Sequence, residues 1–383
     1  MAYKHIDITS VQSAKRPGDA CGDVLSWRRD ATATTVVLAD GIGSGVKANI
    51  AATLCVSRLM AMVQGGMSLR HAFGEMVRTM DGNREPNLPF AAFLAARVLN
   101  DGQATILNYE MPGAVLLNGR HAAALAQRTL AMGTAGLVGE ASCYLEPGEG
   151  VLLVTDGITQ SGLGRGLVNG WGLEAAAQFV SDRLSEGRPA TDLPQAVHDQ
   201  ARRHWGPDRG DDCTVVLLGC RLGNTINILT GPPSRPDHDA EVVARFLAAD
   251  GLKVVCGATT ANIVARRLGR KLEIEQDYQS LVAPPRYSIQ GIDLVTEGAV
   301  TLNQVYNVLD ESLDRHEEDS GVTDLCGLLW ATDRVDLTVG VAANPGNGAI
   351  SFRQQGILPR TTIVPLLGQK LEKAGKLVLI RHV

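Results

Sequence analysis

The sequence predicts an α+β fold, an antiparallel β-sandwich flanked by helices, over residues 1–221, followed by a second domain of α/β type over residues 226–383. Three observations predict it. Before residue 221 the apolar runs come as groups of strands with helices gathered between them, whereas after residue 225 strand and helix alternate one for one. The 383 residues suffice for two domains of ordinary size, and 45% apolar with only 4% aromatic residues suits aliphatic packing. Finally, two apolar runs, Val36-Val37-Leu38-Ala39 and Val151-Leu152-Leu153-Val154, lead directly into Asp40-Gly41 and Thr155-Asp156-Gly157. Such runs read as buried strands whose last residues emerge into a cleft.

In chain order, His5 to Val11 alternates weakly, as an edge strand does, and Thr34 to Ala39 is a stronger strand that breaks into Gly41-Ile42-Gly43-Ser44-Gly45. The apolar spacing turns helical from Val46 to Val63. A second amphipathic helix runs from Ser68, a suitable N-cap, to Met80, after Gly65-Gly66. Phe90–Val98, Ala104–Tyr109, Ala114–Asn118 and Arg120–Leu125 read as a meander punctuated by Gly102, Gly113 and Gly119. Glu149–Thr155 is the central strand, Trp171–Ser185 and Asp192–His204 are helices, and Thr214–Cys220 closes the unit. Beyond it, Thr225–Leu229, Lys253–Cys256, Gly291–Val295 and Leu377–Ile380 are strands, with helices at Asp239–Ala249, Thr259–Leu268, Leu302–Leu313 and Pro365–Ala374.

Composition narrows the function. A net charge of -5 and a pI near 5.9 supply no global basic field, which argues against nucleic acid as the principal partner. The seven cysteines form no C-x-x-C pair and are odd in number, so neither a disulfide framework nor a zinc cluster is expected, and reduced thiols fit a cytoplasmic protein. Residues 1–10 have no apolar signal core and no uncharged apolar run approaches the ~20 residues that span a bilayer, so no membrane association is expected.

The chemistry lies in the acids. Besides Asp40 and Asp156, Asp23 follows Cys21-Gly22, and Asp211-Asp212 directly precedes the strand from Cys213. Carboxylates gathered in one cleft are costly unless cations neutralise them, so a converging set predicts a divalent metal. An Asp-Gly pair alone equally suits a two-residue hairpin, but Asp40-Gly41 followed by Ile-Gly-Ser-Gly and a helix is a poor hairpin. Asp23 itself suits a turn, and Asp19 competes with it for the same role. The Gly41–Lys47 stretch lacks the spacing that sets a lysine beside a phosphate chain, and His198 and His204 lack metal-motif spacing. Arg209 could grip a substrate phosphate or be a loop charge.

The elements Cys21-Gly22-Asp23, Ala39-Asp40-Gly41-Ile42-Gly43-Ser44-Gly45, Thr155-Asp156-Gly157 and Gly210-Asp211-Asp212-Cys213-Thr214 together resemble, in order and approximate spacing, the metal-dependent (type 2C) protein serine/threonine phosphatases. The similarity is closest to the bacterial branch typified by the stage II sporulation protein E phosphatase domain, and it covers residues 1–221. The resemblance implies a hydrolase that removes phosphate from phosphoserine and phosphothreonine in bacterial signalling, with a water bridging two Mn2+ or Mg2+ ions as nucleophile. It implies that Asp40 bridges the ions, the Gly41 carbonyl holds one, Asp156 and Asp211 hold the other, and Asp23 ligates or water-bridges the pair. Asp40 and Asp156 are thus the central catalytic positions. Asp212 stands where many relatives carry Asn and is an additional ligand or a support for the ligands. The implied partner is a phosphorylated protein. A small-molecule effector at the second domain and a homodimer are further expectations.

For residues 226–383 no family is identified, and the expected role is regulatory or ligand-binding. Val254–Asn262 is a strand, a small-residue turn and a helix start, which suits either a phosphate-binding loop or a plain tight turn with Thr259 as N-cap. Asp293–Gly298 marks a second strand end with acidic and hydroxyl residues. An alternative reading of the whole chain follows: a ligand-sensing or scaffolding protein with weak phosphatase activity, whose second domain binds a phosphate-containing small molecule. His316-Glu317-Glu318-Asp319 reads as a solvated loop.

Overall fold

The computed structural model describes residues 3–82, 89–132, 137–206, 210–274, 287–311, 320–342 and 356–383. The chain divides into two compact units, one of Tyr3–Arg28 with Thr32–Leu222 and the other chiefly of Gly223–Val383.

In the first unit two antiparallel sheets face each other. One contains, in spatial order, β1 (Lys4–Ser13), β11 (Cys213–Leu222), β10 (Gly150–Val154), β6 (Val115–Asn118) and β7 (His121–Ala124). The other contains β2 (Asp23–Arg29), β3 (Ala33–Gly41), β4 (Ala91–Leu99), β5 (Gln103–Tyr109), β9 (Leu137–Tyr144) and β8 (Arg128–Ala131). Alternation along the strands divides the apolar residues into layers. Val36, Leu38, Leu94, Ile106, Val151, Leu153, Val216 and Leu218 meet between the sheets. The intervening Val37, Ala39, Phe93 and Leu107 pack outward against α1 (Val46–Gln64) and α2 (Leu69–Gly82). On the other sheet Leu152, Val154, Val215 and Leu217 pack outward against α4 (Leu173–Ser185) and α5 (Leu193–Trp205). The product is helix, sheet, sheet, helix, an antiparallel sandwich clad on both faces as the strand grouping predicts.

Two readings of this unit need correction. The strands from 90 to 125 do not form one meander, because β4 and β5 belong to one sheet and β6 and β7 to the other; the crossover lies at residues 110–114. Strands β8 and β9 were absent from the sequence reading. Leu137–Tyr144 has glycine, alanine and cysteine on the row between the sheets and a buried glutamate beside Val138 on the helix-facing row, which hides the period of two. The glutamate, Glu140, has a fully buried side chain held by Arg70 and Arg128. Helix α1 is long and apolar enough to cross a bilayer. Its residues Ala52, Cys55, Val56 and Leu59 are nonetheless buried in the core against the sheet, which explains its composition.

Gly41 is required by this packing. A Cβ there would lie 1.9 Å from the backbone oxygen of Ala48, in the first turn of α1, so strand end and helix touch backbone to backbone. The Gly41 N–H also donates to the Gly22 carbonyl at 3.2 Å, tying β3 to the segment that enters β2.

The second unit is a mixed seven-stranded sheet in the order β14 (Glu273–Ile274), β15 (Tyr287–Ser288), β16 (Leu294–Thr296), β13 (Leu252–Cys256), β12 (Thr225–Thr230), β17 (Arg334–Val339) and β18 (Leu377–His382), its last five strands parallel. Helices α6 (Asp239–Ala248) and α7 (Ala258–Leu268) cover one face, and α8 (Ala299–Val308), α9 (Gly321–Ala331) and α10 (Arg360–Lys373) the other. This is a doubly wound α/β sheet whose direction of growth reverses between β12 and β17. Helix α9 and strand β17 are absent from the sequence expectations: Gly321–Ala331 is apolar almost all round and shows no helical period, whereas Arg334–Val339 alternates as a strand does and was legible. The acidic run 316–319 lies outside the described residues.

The Gly41 contact yields a test of the fold. Gly41→Ala forces either β3 or α1 to move, and its cost is expected to be on the order of 4 kcal/mol, in the range of a backbone clash in a packed core. Denaturant unfolding of Gly41→Ala beside Gly43→Ala checks it. Gly43 has open space around its Cβ position and φ of 116°, so only the lesser strain penalty applies there.

Candidate metal centre

The inward-facing rows of the sandwich change character at one end. Continuing Val36 and Leu38 by two residues gives Asp40; Val151 and Leu153 lead to Thr155, and Leu218 and Val216 lead back to Thr214. Asp23 opens β2 beside them. Its Oδ2 accepts hydrogen bonds from Thr155 Oγ1 at 2.9 Å and Thr214 Oγ1 at 2.6 Å. The Gln12 amide donates to Thr214 Oγ1 at 3.0 Å and to the Asp23 carbonyl at 3.1 Å. Asp23 is only 2% exposed, and its other oxygen, Oδ1, is buried without a hydrogen-bond partner. A buried carboxylate oxygen left so is a site waiting for a cation or a proton.

Asp156 does not end its strand, as the sequence suggested, but starts a short helix, α3 (Asp156–Thr159); the Gln160 side chain donates to its Oδ2 at 2.8 Å. Gly157 is tightly enclosed: a Cβ would meet the Asp212 carbonyl at 2.0 Å, and its own carbonyl accepts from Trp205 Nε1 at 2.8 Å. Asp211 is half exposed, with the Lys15 ammonium 3.5 Å from its Oδ1.

Asp212 is turned to another task. Its Oδ1 accepts from the Lys15 backbone N–H at 2.6 Å and its Oδ2 from the Gly22 N–H at 2.8 Å, so both oxygens fasten the loop between β1 and β2 onto the acidic segment. Of the two roles left open for Asp212, the observed contacts are those of a support. They also explain Gly22, where a Cβ would stand 2.7 Å from Asp212 Oδ2. Asp19 is exposed in a turn and takes no part. His198 bonds Ser13 Oγ at 2.8 Å and His204 lies 3.3 Å from Ser161 Oγ, both structural pairings. Arg209 lies outside the described residues.

The carboxylates repel one another. Burial first, then the charges of Asp212 and Asp156, push the Asp23 carboxyl up to about 7 against the pull of its two threonine hydroxyls. Burial, then Asp23 and Asp156, push Asp40 up to about 9, and Asp156 is raised chiefly by burial. Asp40 and Asp156 are within hydrogen-bonding reach of each other, so a proton shared between them relieves the repulsion where no cation does. Among the described residues no three potential ligands are gathered tightly enough to enclose one ion as they stand. The donor set nevertheless fits hard divalent ions: carboxylate oxygens without paired imidazoles or thiolates, one of them an orphaned buried oxygen. Sequence reasoning missed Lys15, Thr155, Thr214 and Gln160. The two threonines could have been found from strand alternation, since each is the next inward position of an apolar row.

Residues 30–221 match the family described as stage II sporulation protein E. No curated protein matches in sequence. Among solved structures, the RsbU and RsbW domains of Rv1364c from Mycobacterium tuberculosis are 18% identical, with 64% of this chain and 68% of that one covered and a TM-score of 0.48. The type 2C phosphatase domain of SpoIIE from Bacillus subtilis, with a fragment of its regulatory domain, is 16% identical over 57% of this chain and 65% of that one, with a TM-score of 0.49. The S. agalactiae serine/threonine phosphatase is 14% identical over 56% and 99%, with a TM-score of 0.42. This chain spans about two thirds of the length of the first two.

If the acids converge on cations, loading should stabilise the first unit. Mn2+ at about 100 times its dissociation constant contributes ~2.7 kcal/mol, or roughly 5–10 °C in its melting temperature. Asp40→Asn is expected to melt a few degrees higher than the native protein in EDTA near neutral pH, because Asn needs neither the proton uptake nor the charge burial that Asp40 costs there, and to lose most of the Mn2+ increment. Differential scanning calorimetry with and without Mn2+ reads both arms.

Proposed function

The chain belongs to the stage II sporulation protein E family, whose matched domain is a type 2C protein serine/threonine phosphatase, and on that premise we propose that it hydrolyses phosphoserine and phosphothreonine of a partner protein in bacterial signalling, using two Mn2+ or Mg2+ ions. The observation that carries this reading is the meeting of Asp23, Asp40, Asp156 and Asp211 at one end of the sandwich, with an orphaned oxygen on Asp23 and raised carboxyl pKa values. Asp40 would bridge the ions, with the Gly41 carbonyl on one and Asp156 and Asp211 on the other; Asp23 would ligate or water-bridge the pair. Such ions, when bound, lower the pKa of a shared water to make it a nucleophile near neutral pH and offset charge on the transferred phosphoryl group.

The chain's own residues set the stage for that step. Thr155 and Thr214 fix the Asp23 carboxylate in one orientation through Oδ2, leaving its buried Oδ1 without a hydrogen-bond partner. Gln160 holds the Asp156 carboxylate from the outside. Asp212 anchors the loop that carries Lys15, whose ammonium is thereby kept at the mouth of the acidic cluster, where the anionic oxygens of a phosphate ester arrive. No side-chain nucleophile is needed, and the cysteines near the site are poor candidates: burial pushes the Cys213 thiol up to about 12. We place the reaction in a reducing cytoplasm, in keeping with seven unpaired cysteines.

With a phosphoserine peptide and Mn2+, Asp156→Asn is expected to reduce phosphate release by at least ~100-fold, a loss in keeping with removal of one preorganised electrostatic group. Circular dichroism should remain unchanged. Native protein that releases no phosphate from phosphoserine or phosphothreonine peptides in Mn2+ or Mg2+, while binding neither ion, would refute the proposal.

A further inference from the structure

The reversal point of the second unit's sheet carries a cation without a carboxylate partner and a hydroxyl without a hydrogen-bond partner among the described residues. Strand β12 lies between β13 and β17, and the chain leaves it for α6 on one face and leaves β17 for α10 on the other, so the two connections diverge at the carboxyl edge. That divergence is the place where doubly wound sheets open a crevice for ligands. Thr230 is the last residue of β12. Ile226 and Ile228 on the same strand pack toward α8, α9 and α10, and two-residue alternation turns Thr230 to that side also. It is fully buried and its hydroxyl has no hydrogen-bond partner.

The next residue, Gly231, has φ of 80°, and a Cβ on it would lie 2.0 Å from the central carbon of the Arg360 guanidinium. Arg360 therefore lies directly over the end of β12, in room that only glycine leaves. Its guanidinium makes one long hydrogen bond, from a terminal nitrogen to the Ala342 carbonyl at 3.3 Å, while its Nε is buried and unpartnered. Among the described residues no carboxylate lies within ion-pair distance of it, unlike Arg334 or Arg235, each paired with a neighbouring aspartate.

Arg360 also opens α10, a helix of 14 residues with no acidic residue in its first turn and Pro359 as N-cap. The first N–H groups of such a helix and its dipole favour an anion. The start of α10 is preorganised: the Asn303 side chain of α8 donates to the Leu358 carbonyl at 2.9 Å and accepts from the Leu358 N–H at 3.0 Å. A half-buried arginine without a carboxylate partner among the described residues, a buried hydroxyl without a hydrogen-bond partner and the start of α10 thus belong to one edge of the sheet, and each would gain from a tetrahedral oxyanion.

We propose that the carboxyl edge of this sheet, between β12 and the start of α10, binds the phosphoryl group of a small phosphorylated molecule, with Arg360 as its charged contact and Thr230 as its hydroxyl donor. This site is separate from the acidic cluster, and its test is run so that the two cannot be confused. The full chain, carrying Asp40→Asn and kept in EDTA to silence the first unit, is titrated calorimetrically with inorganic phosphate, ribose 5-phosphate and ADP. Binding of at least one probe is expected. Arg360→Gln should weaken it by about 10–100-fold, the worth of a charge-assisted hydrogen bond. Binding of all three probes would identify the phosphoryl group itself as the determinant; binding of ADP alone would make the ligand a nucleoside phosphate.

Thr230→Val supplies an arm that a merely structural role would not produce. Replacing an unsatisfied buried hydroxyl by an isosteric methyl is expected to raise the melting temperature of the free protein while weakening the probe several-fold. Failure of every probe to bind the parent, or an affinity unchanged in Arg360→Gln of native circular dichroism, would overturn the proposal. If Arg360→Gln fails to fold, Thr230→Val alone decides: unchanged affinity overturns it, and a stabler protein with weaker binding supports it.

Discussion

Mutual repulsion among carboxylates at the end of the sandwich core is the constraint on which the first unit is built. Four inward-facing rows turn polar at this end, where Asp40, Thr155, Thr214 and Asp23 stand in place of aliphatic side chains. The sheets hold these groups at fixed separation because the apolar layer behind them is continuous and close-packed. Burial raises the cost of every charge in the group, and the structure answers only part of it, with two threonine hydroxyls on Asp23 and one amide on Asp156. The unanswered remainder is a standing electrostatic cost, which a shared proton between Asp40 and Asp156 relieves in part.

Much of this was legible in the sequence. Four acidic motifs, each at a strand end and in a characteristic order, were enough to expect the sandwich and the place where the acids meet. What stayed hidden has physical causes. Asp212 looks like its neighbour Asp211 in a string of letters, yet one faces the cluster edge while the other spends both oxygens on the N–H groups of Lys15 and Gly22. Lys15 gave no signal because its position depends on that anchoring, across nearly two hundred residues of chain. Strand β9 was invisible because a buried position on its helix-facing row is a glutamate held by two arginines from elsewhere. Helix α9, apolar on nearly every side, has no period for a sequence pattern to catch.

The second unit teaches the complementary lesson. Its alternation of strand and helix was plain, but the order of strands in the sheet was not, and the order decides where a crevice opens. The Val254–Asn262 turn drew attention because its composition is that of an anion loop. The arginine without a carboxylate partner and the unpartnered threonine hydroxyl lie one strand away, at the start of α10 and the end of β12, where the sheet reverses. Arg360 stands alone in sequence after a proline, and only the left-handed glycine 129 positions earlier reveals what it covers.

The bare contact between Gly41 and Ala48 has a mechanical consequence. Where side chains separate two elements, a small displacement is absorbed by rotamer changes; where backbones abut, there is nothing soft to yield. The end of β3 and the first turn of α1 are therefore fixed to one another more tightly than their side chains alone would fix them. The outer surface of α1 carries Val46, Ile50 and Leu54 in a solvent-facing row, so between that face and the peptide beside Asp40 the junction is backbone against backbone, with no side chain to cushion it.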